Sequence, residues 1–347
     1  MIMKTTEAFI GNQLDEHFLS SQVICPVIEN VPYPQSLLKT SQTVDSISFM
    51  EIVEAWNVDR IKILMKKLAS QLMNVDPNLV AVLLIGSDAR REKGPYSAFE
   101  FIVLSPNQNV AQYVRKKILD ISCQSDCRGC QLTNCQHIST SNHDIEIKIR
   151  DDQYLSSYNG DPKHLWPDRI LSSQIVYGSP KLLVEAREKV IQEVLRNPLA
   201  VKQVRQQKNR FLRTTETGRS SSNGNTIVHF DPITGIMYHD PNNYIRGPKY
   251  GPIRAVQTHL TIEQVNRGLV NLDPNTLNKL SFIYSDGHLG EIDTAALAKA
   301  YAQAQYYYHL LQAMYHEGNN KFIQFEIDPK IMVSISNTII RALSSGN

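Results

Sequence analysis

The chain has 347 residues, 42% of them hydrophobic and 20% charged, which suffices for two ordinary domains and excludes a disordered or fibrous chain. A formal net charge of +2 supplies no broad basic surface, so duplex nucleic acid is not an expected partner. No apolar run approaches the length that spans a bilayer, and Met1 to Glu16 lacks a basic segment followed by an apolar stretch. The expectation is a soluble, cytoplasmic protein with no membrane partner, export without a cleavable signal being left open.

In chain order, residues Met1 to Ser48 are polar and broken by Pro26, Pro32 and Pro34, which predicts an amino-terminal arm. Ile61, Leu64, Met65, Leu68 and Leu72 then recur at helical spacing. Asp76-Pro77-Asn78 predicts a turn, and the unbroken apolar run Leu79 to Ile85 a strand buried on both faces. Phe99 to Leu104 predicts a second strand. A second helix over about Asn109 to Ile121 carries Val110, Tyr113, Val114, Ile118 and Ile121 on one side. His143 to Arg150 alternates, with Ile145, Ile147 and Ile149 opposite Asp144, Glu146 and Lys148, as a half-buried strand does. Pro180 to Arg196 reads as a helix, and Lys202 to Arg213 as a basic one. Thr214 to Thr226, rich in Ser, Thr, Gly and Asn, predicts a loop. From about Leu260 the pattern is helical, with a long helix over Thr294 to Tyr315. The predicted class is α+β: an arm (1–48), a small mixed sheet flanked by helices (49–196), and a mostly helical domain (197–347).

Chemistry concentrates in Gly86-Ser87-Asp88-Ala89-Arg90-Arg91-Glu92-Lys93-Gly94-Pro95-Tyr96-Ser97-Ala98-Phe99-Glu100. A buried strand that ends in Gly-Ser lets backbone amides approach an anion, and the serine adds a hydroxyl. Arg90 and Arg91 can add charge-assisted contacts to phosphate. On the following strand, positions 98 and 100 project together toward the turn. Two acids there would hold magnesium against a triphosphate.

This stretch resembles the nucleotidyltransferase superfamily built on the DNA polymerase beta fold. The agreement extends through Gly86-Ser87, Ala89-Arg90, Glu92, Gly94 and Ser97 to stand-alone members that modify proteins or small molecules. The resemblance implies a small mixed sheet and binding of a nucleoside triphosphate with magnesium or manganese. It also implies transfer of a nucleoside monophosphate to a hydroxyl on a protein or small-molecule acceptor. Gly86, Ser87, Arg90, Arg91 and Ser97 would hold the nucleotide, and Glu100 and Glu146 (or Asp144) the metal. The departure is Ala98, where the family carries its first aspartate. A pseudoenzyme, an inactive variant, or a site that recruits another acid such as Asp88 all remain open, and so does a non-catalytic nucleotide-sensing or protein-interaction module. Asp168-Arg169-Ile170 through Val176-Tyr177-Gly178-Ser179 resembles a further superfamily segment. Lys249-Tyr250-Gly251-Pro252-Ile253-Arg254 resembles a motif of the attached helical domains in uridylyl-removing regulators, which would bring Lys249 and Arg254 to nucleotide phosphates.

Cys123, Cys127, Cys130 and Cys135, with His137 behind them, admit structural zinc, disulfides or free thiols. The basic run Lys202, Arg205, Lys208, Arg210, Arg213 and Arg219 reads as a solvated helix face, with contact to nucleotide, RNA or an acidic partner as the alternative. His229 and His239 flank Asp231 near Asp240 and read as polar loop residues or a metal site.

Overall fold

The computed structural model describes residues 45–94, 100–122, 139–140, 166–222, 225–240, 245–285, 288–289, 292–317 and 323–344. Helix α1 (Ser46–Gln71) begins where the Asp45 carboxylate accepts from the Ser48 amide at 3.4 Å. Its 26 residues reach about 39 Å, long enough to serve two cores. Phe49, Met50 and Val53 at its start pack in the core of the carboxy-terminal half, whereas Ile61, Leu64 and Leu68 pack on the sheet. The division of the chain near residue 49 is therefore bridged by one helix. Met65, on the predicted stripe, is 41% exposed.

A single turn, Pro77–Leu79, leads into strand β1 (Ala81–Leu84), which is followed by the one-turn helix α2 (Gly86–Ala89) and strand β2 (Glu100–Leu104). Helix α3 (Gln108–Ser122), strand β3 (Ser139–Thr140), helix α4 (Trp166–Leu171), strand β4 (Gln174–Gly178) and helix α5 (Pro180–Arg196) complete the amino-terminal half. The sheet order is β3-β2-β1-β4. β1 pairs antiparallel with both β2 and β4, and β3 runs parallel to β2. Alternation along the strands divides the core in two. Val82, Leu84, Phe101 and Val103 face α1 and α3, while Ala81, Leu83, Ile102 and Leu104 face α4 and α5. Both faces of β1 are covered, which is why its sequence is an unbroken apolar run. Tyr113, assigned to the buried side of α3 by its spacing, is 44% exposed and lies beside Lys117.

Helix α6 (Pro198–Thr217) is capped by Asn197, whose side chain accepts from the Leu199 and Ala200 amides. It stops at Gly218, in the left-handed region at φ +67, whose amide donates to Thr214 O at 2.7 Å. The chain then forms a hairpin of β5 (Arg219–Ser222) and β6 (Asn225–Val228). This corrects the predicted loop over Thr214 to Thr226. The pairing is made by backbone, so a Ser-rich strand carries no apolar alternation for a sequence reading to detect. Strands β7 (Ile236–Asp240) and β8 (Ile245–Arg246) follow, then helices α7 (Pro252–Asn266) and α8 (Thr276–Ile283). Short strands β9 (His288–Leu289) and β10 (Ile292–Asp293), helix α9 (Thr294–Glu317), strand β11 (Ile323–Glu326) and helix α10 (Pro329–Ser344) end the fold. β7 is the centre of a small sheet ordered β11-β7-β8. The architecture is α+β: a small mixed sheet layered with helices and a mostly helical second half. α7 starts eight residues before the predicted helical region because Gln257, Thr258, His259, Thr261 and Gln264 are buried polar residues that blur its apolar stripe. Among the described residues, no helix is long and apolar enough to cross a membrane.

Candidate functional site

The Gly-Ser turn sits where β1 passes into α2. Ile85 donates its amide to Glu100 O at 3.0 Å, so β1 and β2 stay paired up to the turn. Gly86 has φ +67, and a Cβ placed on it would lie 3.0 Å from Glu100 Oε2. Glycine is thus required twice over, by its backbone angle and by the carboxylate against its α-carbon. Asp88 follows in α2 and is 2% exposed. Its Oδ1 is 3.1 Å from Lys93 Nζ, and its Oδ2 is buried with no hydrogen-bond partner. Burial pushes the Asp88 carboxyl up to about 6, partly opposed by Lys93 and Arg60, with Glu100 adding to the rise. Ser87 takes part through its carbonyl, which accepts from the Glu92 amide at 2.9 Å.

The residues after α2 turn inward. Arg90 is 3% exposed and donates from Nε to Glu92 Oε2 at 3.2 Å and from Nη1 to Asp168 Oδ2 at 3.3 Å. Burial works against its charge, but Asp168 and Glu92 more than offset that and hold the guanidinium above its ordinary pKa. The Glu92 carboxylate in turn fastens the turn to the helical half. Oε2 accepts from Tyr301 OH at 2.8 Å, Gln257 Nε2 at 3.2 Å and Gln305 Nε2 at 3.4 Å, and Oε1 accepts from the Thr276 amide at 3.0 Å. Backbone carbonyls of the same segment are also held: Arg90 O by Asn275 Nδ2, Glu92 O by His309 Nε2, and Arg91 O and Lys93 O by Asn57 Nδ2. Arg91 adopts φ 59, unusual for a residue with a side chain. It bridges Glu54 of α1 and Asp273 before α8. Both arginines proposed as phosphate contacts thus have their guanidiniums engaged by carboxylates of the protein.

Arg254, from α7, approaches the same oxygen of Asp168 that Arg90 reaches, at 3.6 Å, and also Gln257 Oε1 at 3.4 Å. Asp168 Oδ1 accepts from Ser172 Oγ at 2.8 Å and Thr261 Oγ1 at 3.3 Å. Burial opposes the Asp168 charge, yet Arg90, Arg254 and Lys279 together pull its pKa below the ordinary value. Lys279 donates to Ser172 Oγ at 2.7 Å and Gln264 Oε1 at 2.9 Å, and burial brings its pKa down to about 7. Lys249 lies over the Tyr308 ring and 3.4 Å from its hydroxyl. The structure therefore joins Arg90 and Arg254 through Asp168 and places Gly86 against Glu100. It does not gather these with Lys249 into one cluster of free cations. Ser97, Ala98, the four cysteines Cys123, Cys127, Cys130 and Cys135, His137, Asp144 and Glu146 lie outside the described residues. His229, just after β6, and His239, on β7, are both buried rather than solvated.

The magnesium that the resemblance implies finds a poor match in the described donors. Magnesium takes about six oxygens in near-octahedral array. Among the described residues at the turn, the Glu100 carboxylate is joined by Asp88, whose charge is already met by the Lys93 ammonium. Among the described residues no group of three or more His, Cys, Asp or Glu side chains could hold a metal ion. Glu92, its partners Tyr301 and Gln257, and Asp168, which pairs with Arg90, are not singled out as site residues by the sequence. The signal available was the agreement of Glu92 with the motif, together with polar residues at buried positions of α7 and α9. Comparison with protein-family models and with curated proteins finds no match to this chain.

Proposed function

We propose that this protein binds a nucleoside triphosphate on a nucleotidyltransferase-type scaffold, with transfer impaired in this form by Ala98. The observation that carries the reading is the Glu100 carboxylate set against Gly86 at the end of the β1–β2 pair. It puts the second acidic position of the motif on the Gly-Ser turn. Gly86, without a side chain, leaves the backbone amides of the turn open to close approach by phosphate oxygens. Ser87 adds a hydroxyl. Arg90 and Arg91 position the turn from behind instead of touching the ligand. Lys93, at 3.1 Å from Asp88, offsets one of the two acids and so lowers the repulsion a polyphosphate would meet. In a transfer-competent form, an acceptor hydroxyl would bond to the α-phosphorus as the bond to pyrophosphate breaks, in line.

Calorimetry with ATP, GTP, CTP and UTP, with and without magnesium, tests this on the native chain and on Ala98→Asp. The native chain is expected to bind a triphosphate with little dependence on magnesium. The variant is expected to gain magnesium dependence and to release pyrophosphate. Absence of binding by both forms overturns the nucleotide site. Magnesium-dependent turnover by the native chain overturns the impairment.

A further inference from the structure

A second charged site lies away from the Gly86 turn. Between α6 and the β5–β6 hairpin is an open cleft of about 450 Å³ lined by Arg210, Arg213 and Arg219, with Gln206, Asn209 and Ser220 among the intervening residues. Gln206, Asn209, Arg210 and Arg213 fall three and four apart on α6 and so share one face. Arg219 reaches the cleft from the other side, because the left-handed Gly218 reverses the chain there. The sequence presents these as successive charges of one basic run. The fold converts the run into opposing walls.

Lone cations on a solvated helix face point apart, but these converge. Among the described residues that line the cleft there is neither Asp nor Glu. Asp231, which feels the charge of Arg219, is occupied in its own turn by the Ile233 and Thr234 amides. Arg210 is held in orientation by donating from Nη2 to Ser221 O at 3.1 Å. Ser220 Oγ is fixed 2.7 Å from His229 Nε2. Burial, with the Arg210 charge, lowers the His229 pKa to about 4, so the ring is neutral near pH 7 and the positive charge of the cleft comes from the guanidiniums. Asp231 offsets part of the Arg219 charge, and the guanidiniums around the cleft still leave it a net positive charge that favours an anion. Guanidinium forks match the several acceptor oxygens of a phosphoryl group, and the volume falls within the range of small-molecule sites, roughly 300–1,000 Å³.

We infer that this cleft binds a phosphate-bearing small molecule whose phosphoryl group is held by Arg210, Arg213 and Arg219. It shares no lining residue with the Gly86 turn, so the inference does not depend on the function proposed there.

The test is calorimetric titration of the full chain with inorganic pyrophosphate at fixed ionic strength. It compares the native protein, the double variant Arg213→Gln/Arg219→Gln, and Arg205→Gln, which removes an exposed charge of α6 outside the cleft lining. Both arginines are exposed, and unchanged thermal melting would confirm that the double variant folds. The native chain is expected to bind with a dissociation constant of about 1 mM or tighter. The double variant is expected to bind at least about tenfold more weakly, the scale of losing charged hydrogen bonds, and Arg205→Gln to bind within about twofold of the native chain, the scale of a screened surface charge. Parallel titrations with ribose 5-phosphate and ADP identify the source, since tighter binding of either names the organic part and equal binding assigns recognition to the phosphoryl group alone. No binding by the native chain, or equal binding by the double variant, overturns the proposal. A loss in Arg205→Gln as large as that in the double variant assigns the binding to the summed charge of the helix and equally overturns it.

Discussion

Replacing Glu92 by Gln should uncouple the Gly86 turn from the helical half at a cost in stability of about 3–5 kcal/mol, the scale for breaking a buried charge pair. The substitution keeps the shape of the side chain and removes its charge. In the native protein, the two carboxylate oxygens accept from Arg90, Tyr301, Gln257, Gln305 and the Thr276 amide. An amide has one oxygen, so either orientation sets its NH2 against donors. Facing Thr276 it meets a backbone N–H at 3.0 Å, and facing the other way it meets Arg90 Nε at 3.2 Å. Each hydrogen bond to a charged group contributes about 1.5–3 kcal/mol net, and an unsatisfied buried donor adds about 1–3 kcal/mol of desolvation cost. Arg90 retains Asp168 as its counter-ion, which keeps the total near the pairwise scale. Urea unfolding followed by far-UV circular dichroism, native against variant, gives the difference. A loss below about 1 kcal/mol would refute the view that Glu92 fastens the two halves, because that is no more than an exposed ion pair contributes.

Gly86→Ala is expected to cost about 1–2 kcal/mol from the left-handed backbone alone, and to displace the Glu100 carboxylate that its Cβ would meet at 3.0 Å. ATP titration should show at least about tenfold weaker binding, the scale of a lost charged hydrogen bond; unchanged affinity would separate the turn from the ligand. Gly218→Ala drives a Cβ into the backbone carbonyl of Phe230, which cannot swing aside. It should destabilise by more than about 1 kcal/mol and weaken pyrophosphate binding together, because the hairpin carrying Arg219 must shift. A melting temperature equal to that of the native chain would contradict this. Asp88 titrates at its ordinary value near 3.8 when unfolded and at about 6 when folded, so between these values the folded state binds the extra proton. Its contribution to stability therefore falls as pH rises from about 4 to about 6 and is level above, by up to about 3 kcal/mol. Asp88→Asn should remove that part of the slope in urea midpoints measured across the range, and an unchanged slope would show that burial does not govern this group.

Some of this protein was legible before its fold. β1 announced itself as an apolar run because both of its faces are covered, α3 by its apolar spacing, and α5 as a helix that admits proline in its first turn. Gly86 and Glu100 stood out through the motif, and the structure places one against the other. The hairpin at Arg219–Val228 was not legible, because its pairing is made by backbone groups that every residue carries. Nor was the start of α7, whose buried face holds glutamines, threonines and a histidine. Whether Arg90 faces a ligand or a protein carboxylate could not be read from its own neighbourhood in the chain. Its partner Asp168 lies 78 residues away, and the Glu92 partner Tyr301 lies 209 away. Local sequence determines which groups carry charge and which backbone angles are accessible. Tertiary structure alone decides which charges are buried together, because desolvation and pairing act over a few ångströms of space without regard to distance along the chain.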